Sequence, residues 1–351
     1  MGSSGVSAGG STESVSPHSG LATPVDPTRP SKKWRRYTML RARLGVLLLL
    51  VVFLSIQSPV FFTATNLVNV LLNMSVLGII AAPLTLLLVA RQVDLSVGSA
   101  IGFAAAIFTV IYPTSMGALG AVAGAFAAAM LVAMINAIAI TRLRVNSLIA
   151  TLATLAIFRG AAKLIIDGKS ISVPNFGFLG TTRYEVLGVA FPLPVLILAV
   201  VAAFFIFLMK YTIYGRHMYA SGSNPRASRL AGLKLERGVV IAFVLTGVCV
   251  GLASILQVSK LGSVGPTTGQ GLDLLAITGI ILGGCSLAGG RGTVTGTMVA
   301  IAILAVLDNG LTLLGISSFW QEVVRGSMLL AAVVFDQLRV RRLRREEQWE
   351  L

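Results

Sequence analysis

The feature that most constrains this chain is a series of long apolar runs, separated by short polar connections. A run of about 20 apolar residues is the length that an α-helix needs to cross the hydrocarbon core of a bilayer. The 351-residue chain is 55% hydrophobic and only 12% charged, with a mean hydropathy of +0.87, and a soluble domain is far less apolar. The runs therefore predict an all-α, polytopic membrane protein.

We predict a bundle of about ten transmembrane helices. The predicted spans are residues 44–62, 67–90, 97–111, 117–140, 147–166, 191–209, 239–258, 272–287, 294–314 and 319–338. The third and the eighth are short, so their ends are expected to be broken or re-entrant. The transmembrane domain is placed at residues 37–338. Residues 1–36, rich in Ser, Gly, Pro and Thr before a basic cluster, are predicted to form a disordered cytosolic tail, and residues 339–351 form a second basic cytosolic tail.

The distribution of basic residues predicts the orientation, because connections on the cytoplasmic side are enriched in Lys and Arg. Counting spans from a cytoplasmic N-terminus places Arg91, Arg142, Arg144, Arg291 and the stretch 211–237 inside. The connections 63–66, 112–116 and 315–318 fall outside and carry no Lys or Arg, although longer outside connections contain Lys169, Arg183 and Lys260. We expect a cell-membrane protein with both termini cytoplasmic. Because topology explains most of its basic residues, the net charge of +15 does not indicate nucleic-acid binding.

The stretch 211–237 is the longest basic interruption between two apolar runs. Asn224 followed by Pro225 predicts a helix start, since Asn caps a free N–H group and Pro fits the first helical position. Gly232 predicts the helix end. One short helix outside the membrane would carry Arg226 and Arg229 on one face, beside an apolar strip of Ala227 and Leu230. Such a helix is suited to docking a cytosolic partner, and an amphipathic helix held by anionic lipid is the alternative.

Few residues could carry chemistry. The chain has two histidines, His18 and His217, both outside the predicted spans, and its two cysteines, Cys249 and Cys285, lie in apolar runs. We predict no catalytic, cofactor-binding or metal site, and hence no enzyme. Arg159 lies inside a span, where it either reaches outward to the interface or contributes to a transport pathway. Without ionisable groups to use an ion gradient, the chain is either a passive pore or is driven by a partner.

Four segments occur in an informative order: RQVDLSVGS at 91–99, GRHMYASGSNPRASRLAG at 215–232, ILGGCSLAGGRGTVTGT at 281–297, and NG at 309–310 followed by SSFWQEVVRG. Together, over residues 66–342, the chain resembles the integral membrane permease of ribose-type ABC importers. The resemblance implies a type II ABC importer-like bundle, paired with a second permease subunit as a homodimer or heterodimer. It also implies a cytosolic ABC ATPase that binds the ATP, and an extracytoplasmic binding protein that delivers a monosaccharide or a related small polar solute. The chain itself has no G-x-x-x-x-G-K-[ST] loop.

The resemblance also implies roles for individual residues. Gly222, Asn224, Ala227 and Gly232 match the segment through which such permeases couple to the ATPase, to which we add Pro225, Arg226 and Leu230. Candidates for the pathway or its gates are Asp94, Ser96, Arg159, Asp273 and Asn309. Asp94 is also interpreted as a helix cap, and Asp273 as a cap or gate at the outer entry. Arg91 and Gln92 depart from the small or apolar residues usual before the Asp-Leu-Ser motif.

Three other functions are compatible with the residues. A branched-chain amino acid ABC permease is built in a similar way. A secondary transporter or facilitator would transport without ATP, and a membrane scaffold or receptor would not transport at all.

Overall fold

The computed structural model describes residues 2, 32–177, 179, 182–186 and 189–348. The chain divides into two units, residues 1–39 and 40–351, and the packing considered below lies within the second. Of the predicted N-terminal tail, residues 1 and 3–31 lie outside the described residues. The backbone of residues 32–36, which the sequence assigned to that tail, belongs to the first helix.

The prediction of an all-α polytopic protein is confirmed. The helices are α1 (Lys32–Gln57), α2 (Ala64–Val89), α3 (Val97–Ile111), α4 (Gly117–Thr141), α5 (Ser147–Ile165), α6 (Leu193–Tyr211), α7 (Ile213–Ser223), α8 (Pro225–Leu230), α9 (Leu235–Leu261), α10 (Leu272–Leu282), α11 (Val294–Leu313) and α12 (Ser318–Gln348). Within the described residues, 7 helices are long and apolar enough to cross a membrane, namely α1, α2, α4, α5, α6, α9 and α11. Helices α3 and α10 are apolar but shorter, as expected for the third and eighth spans. The count of about ten crossings stays a prediction.

Helices α2 and α9 form the centre of the bundle. Buried residues make up 78% of the apolar window of α2 and 67% of that of α9, against 6% for α1. Helix α9 packs against α4 and α2, and α2 also packs against α6 and α11, while α3 lies against α4 and α5. Because α2 contacts so many helices, both of its ends are positioned by several elements at once.

The described chain has four short strands, in the α5–α6 connection and after α9. Strand β1 (Ile171–Ser172) pairs antiparallel with β4 (Ser263–Val264), which joins the α5–α6 connection to the segment after α9. Strands β2 (Arg183–Val186) and β3 (Val189–Pro192) form an antiparallel hairpin. The Tyr112 hydroxyl, in the α3–α4 connection, donates a hydrogen bond of 2.8 Å to the Pro174 carbonyl. Three connections that were predicted to lie on the outer side are thus held together.

Candidate functional site: the coupling segment and its junction with the bundle

The stretch 211–237 forms two helices, so the prediction of a single short helix is wrong. The side chain of Thr212 caps α7 by accepting a hydrogen bond from the Gly215 N–H (3.1 Å). The predicted second start is confirmed: Asn224 accepts from the Ala227 N–H (3.0 Å), and Pro225 is the first residue of α8. Gly232 follows the end of α8 with a left-handed φ of +79°, a conformation that glycine adopts without steric cost. We call α7, Asn224 and α8 the coupling segment.

The outer face of α8 combines an exposed leucine with exposed arginines. Leu230 is 91% exposed, and Arg226, Ala227 and Arg229 are exposed as well. Ser228, on the opposite face, is buried. Arg229 approaches Glu236 at 3.4 Å, and both side chains are largely exposed, so this pair contributes little stability. The short helix therefore presents a small apolar and basic surface to whatever lies outside the bundle.

The end of α7 is fastened to two other elements at what we call the junction, formed by Val89, Arg91, Gly222, Ser223 and Gly290. The Arg91 guanidinium donates to the carbonyls of Gly222 (2.5 Å) and Ser223 (3.0 Å). The Gly290 N–H donates to the Val89 carbonyl (2.8 Å) at the end of α2. Gly222 is buried, and a Cβ there would overlap the Val89 carbonyl oxygen and the Gly290 nitrogen.

Two tyrosines of α7 bind neighbouring backbone. The Tyr219 hydroxyl donates to the Gly292 carbonyl (2.8 Å), which attaches α7 to the connection before α11. The Tyr214 hydroxyl donates to the Gly238 carbonyl in α9 (2.8 Å), and burial raises the pKa of Tyr214. Helix α7 is therefore a packed part of the bundle, while α8 is its exposed extension.

Asp94 and Ser96 lie in a buried chain of hydrogen bonds before α3. Asp94 Oδ1 accepts from the Ser96 backbone N–H (2.9 Å) and from the Ser96 hydroxyl (2.6 Å). Asn136 of α4 donates to the Ser96 hydroxyl (2.8 Å), and Thr154 of α5 donates to Asn136 (2.8 Å). Asp94 thus stabilises the turn that leads into α3, close to its predicted capping role, and the first residue of α3 follows Ser96.

Arg159 and Asp273 both lie beside the loop that precedes α10. Half-buried Arg159 donates to the Thr268 carbonyl (3.1 Å). Asp273 is buried, and its carboxylate lies against Gly98, where an added Cβ would be 2.9 Å from Asp273 Oδ1. The same loop packs against Gly98 and Gly102, since a Cβ at Gly98 would lie 2.5 Å from the Gly269 carbonyl oxygen. Arg159 therefore contacts this loop, and its assignment to the transport pathway stays a prediction.

Asn309 lies elsewhere in the bundle. It forms a reciprocal amide pair with Asn66, with N···O distances of 3.0 and 2.7 Å, and both residues are buried. Next to it, Asp308 accepts two hydrogen bonds from Arg325 of α12 (3.0 and 2.9 Å). Asn66 is near the start of α2, whose 26 residues span about 39 Å. Asn309 is therefore at the opposite end of α2 from the junction.

A family model described as the permease component of the branched-chain amino acid transport system matches residues 66–333, most of the chain. The chain belongs to this permease family. The permease is 36% identical over 308 residues to the ribose import permease protein of Escherichia coli (strain K12), covering 86% of this chain and 95% of the relative. It is 36% identical over 323 residues to the L-arabinose transport system permease protein of the same strain, covering 91% and 95%.

The ribose import permease protein of Bacillus subtilis (strain 168) is 36% identical over 293 residues, covering 83% of the permease and 90% of the relative. No solved structure matches the permease. Membership in this family makes the chain a multi-pass transport component and not an enzyme.

Part of the permease's junction was not predicted from the sequence. Arg91 was predicted to lie inside and to depart from the usual motif, but not to contact the coupling segment, and Val89, Tyr219 and Gly290 were not singled out as its contacts. The two glycines at 289 and 290, which follow Ala288 after a predicted span, were the available signal, since glycine is common where a backbone is approached closely.

Proposed function

We propose that this permease forms the translocation pathway of an ATP-driven importer for a monosaccharide or a related small polar solute. The observation that carries this proposal is the 36% identity that extends over 95% of the ribose and L-arabinose permeases. Likeness over the full length of a transporter includes the parts that form its pathway. Pentoses are therefore the first solutes to test.

The proposed partners are a cytosolic ABC ATPase, which binds ATP, an extracytoplasmic binding protein and a second permease subunit, identical or not. We propose that the permease binds no cofactor of its own and lies in the cell membrane with both termini cytoplasmic. In support of the ABC ATPase as a partner, a similar chain from Azospirillum brasilense, 34% identical over 294 residues, is described as an L-arabinose ABC transporter permease protein.

We propose that α8 is the element that docks into the ATPase. The support for docking through α8 is the exposed face of Ala227 and Leu230 beside Arg226 and Arg229. A leucine that is 91% exposed would be stabilised by burial against a partner. Asn224 and Pro225 fix where α8 starts, Gly232 lets the chain turn after it, and Gly222 anchors the segment to the bundle. ATP-driven closure of the partner would move this segment and switch the pathway between outward-facing and inward-facing states.

Docking predicts the effect of a charge on this face. Leu230→Asp or Ala227→Glu should leave the permease inserted in the membrane but reduce co-purification of the ATPase and ATP-driven uptake by roughly tenfold or more. Co-purification on affinity resin and uptake in vesicles measure the two effects. Leu143→Asp is the matched control, because Leu143 is exposed in the α4–α5 connection. It should leave ATPase co-purification and uptake unchanged. Normal ATPase binding by Leu230→Asp would exclude docking through α8.

For the pathway, we propose that the loop held by Arg159, with Asp273 behind it, gates the outer entry. The contact between Arg159 and the Thr268 carbonyl and the close packing of Gly269 on Gly98 support a loop with a defined closed position. Asp94 and Ser96 would then act by fixing the start of α3 beneath this loop, and Asn309 by fixing α11 against α2.

A branched-chain amino acid permease is the second candidate, favoured by the description of the matching family model. The deciding experiment measures uptake of labelled D-ribose, L-arabinose and L-leucine in vesicles that hold the permease with its ATPase and binding protein. We expect ATP-dependent uptake of a pentose and none of leucine. Leucine uptake alone would select the second candidate, and uptake by the permease without ATP would identify a facilitator.

A further inference from the structure

We infer that Arg91 is a positioning residue that fastens the end of α7 to the end of α2, so that a displacement of the coupling segment moves the central helix of the bundle. This inference rests on the proposed function, because the displacement comes from the partner ATPase. Arg91 itself does not belong to the proposed docking surface on α8.

The Arg91 side chain binds the C-terminal end of helix α7. Its guanidinium donates to the carbonyls of Gly222 and Ser223, the last two residues of α7. The final carbonyls of a helix lack partners within the helix and carry partial negative charge. A guanidinium, with several donors in a fixed plane, satisfies two such carbonyls at once.

The stem of the same side chain lies against a third element. A Cβ added at Gly289 would overlap Arg91 Cγ, so the stem crosses the backbone of the connection before α11 at close range. The neighbouring Gly290 N–H binds the Val89 carbonyl. Arg91 therefore contacts α7 and the α10–α11 connection from a position just after the end of α2.

The backbone of Arg91 supports the same conclusion. Its φ is +62°, in the left-handed region that residues with a Cβ adopt only at a cost. Such a conformation persists where surrounding contacts hold it in place. The two carbonyl bonds and the stem packing are contacts of this kind, and they exist only while α7 stays beside α2.

Helix α2 is suited to pass on a movement that begins at Arg91. Among the 7 described helices that are long and apolar enough to cross a membrane, it has the largest buried share of its apolar window, and it packs against α6, α9, α10 and α11. Its other end carries Asn66, paired with Asn309. A shift of α7 is therefore transmitted to a helix that reaches the opposite end of the bundle.

The first test uses amide hydrogen exchange on the purified full-length permease. Arg91→Gly removes the side-chain contacts and relieves the backbone at once, and it should raise exchange over residues 221–232 roughly tenfold. Arg91→Lys keeps the charge without the paired donors, so a smaller rise is expected. The matched control is Arg144→Gly, because Arg144 is exposed, has a φ of +56° and is absent from the described hydrogen bonds of the coupling segment. Unchanged exchange in Arg91→Gly, or an equal rise in the control, would overturn the inference.

The second test separates transmission from folding. In vesicles that hold the complete importer, Arg91→Gly should retain the bound ATPase and its ATP hydrolysis, while ATP-driven uptake of D-ribose falls roughly tenfold. Equal losses of hydrolysis and uptake would indicate a destabilised permease and would overturn transmission through Arg91. If the unmodified importer takes up no probe solute with ATP, the proposed function fails, and the exchange measurement alone decides whether Arg91 fastens α7.

Discussion

At the scale of single residues, the polar side chains inside the bundle bind one another. Within the part of the chain that the structure describes, no buried side-chain nitrogen or oxygen lacks a hydrogen-bond partner. Asp94, Ser96, Asn136 and Thr154 form one such chain across three elements. A polar group in this interior has no water to replace a lost partner, so each member depends on the others.

Substitutions of Asp94 separate its hydrogen bonds from its charge. Asp94→Asn keeps the Oδ1 acceptor for Ser96, so we expect the free energy of unfolding to fall by less than about 1 kcal/mol. Asp94→Ala removes both bonds and should lower it by about 1.5–3 kcal/mol. Unfolding of the purified permease in a titration with denaturing detergent measures both. Equal destabilisation by the two substitutions would contradict this account, because it would show that the carboxylate charge, and not the Oδ1 acceptor alone, stabilises the turn.

How well single residues could be predicted depended on how local their contacts are. The bond from Asp94 reaches only two residues along the chain, and the Asp-x-Ser spacing predicts it as a cap. Asn136 and Thr154 were not predicted, because they join this chain from residues 40 and 18 positions away. Arg91 binds across 131 positions, and no local pattern in its sequence indicates the partner.

At the scale of elements, the coupling segment also shows that local signals were predicted and long-range packing was not. Asn224 and Pro225 are strong local signals, and α8 starts where they predict. Helix α7 was missed because Gly215 and Gly222 lower its helix propensity, and the basic residues around it indicated a loop. Packing decides the outcome: both glycines are buried, and neither has space for a side chain.

The close packing of α7 against the end of α2 predicts that one added methyl group at Gly222 destabilises the permease. Gly222→Ala places a Cβ against the Val89 carbonyl and the Gly290 nitrogen, so α7 must shift away from α2. We expect the free energy of unfolding to fall by about 1–3 kcal/mol, measured by detergent-induced unfolding. Gly160→Ala is the control, since a Cβ at Gly160 meets no atom within 4 Å, and it should cause no loss. An equally stable Gly222→Ala permease would show that the junction is loosely packed.

At the scale of the whole molecule, hydropathy predicts that the chain is a helical membrane protein but not which helices are central. The mean hydropathies of the α1 and α2 windows are similar, 1.9 and 2.1, yet buried residues make up 6% of one and 78% of the other. Lipid tails and a membrane-protein interior are about equally apolar. An outer helix and a central helix can therefore have the same composition, and only the packing distinguishes them.

The contacts between connections support part of the proposed orientation. Arg91, the coupling segment and Gly290 meet at one end of the bundle, and all three were predicted to lie inside by counting spans. The connections that contain Tyr112, Pro174 and Val264 meet through a hydrogen bond and a strand pair, and these were predicted to lie outside. These contacts divide the connections into two sets. The positive-inside rule predicts that the set with Arg91 and the coupling segment faces the cytoplasm.

Labelling of introduced cysteines tests this assignment directly. The native Cys249 and Cys285 are buried, so they should react slowly and give little background. Arg237→Cys, exposed in the first turn of α9 shortly after the coupling segment, should react with a membrane-impermeant maleimide only in inside-out vesicles. Ser115→Cys, exposed in the α3–α4 connection, should react only in right-side-out vesicles, because the two positions face opposite compartments. The reverse pattern would place the coupling segment outside the cell, where ATP-driven docking is impossible, and would overturn the proposed mechanism together with the orientation.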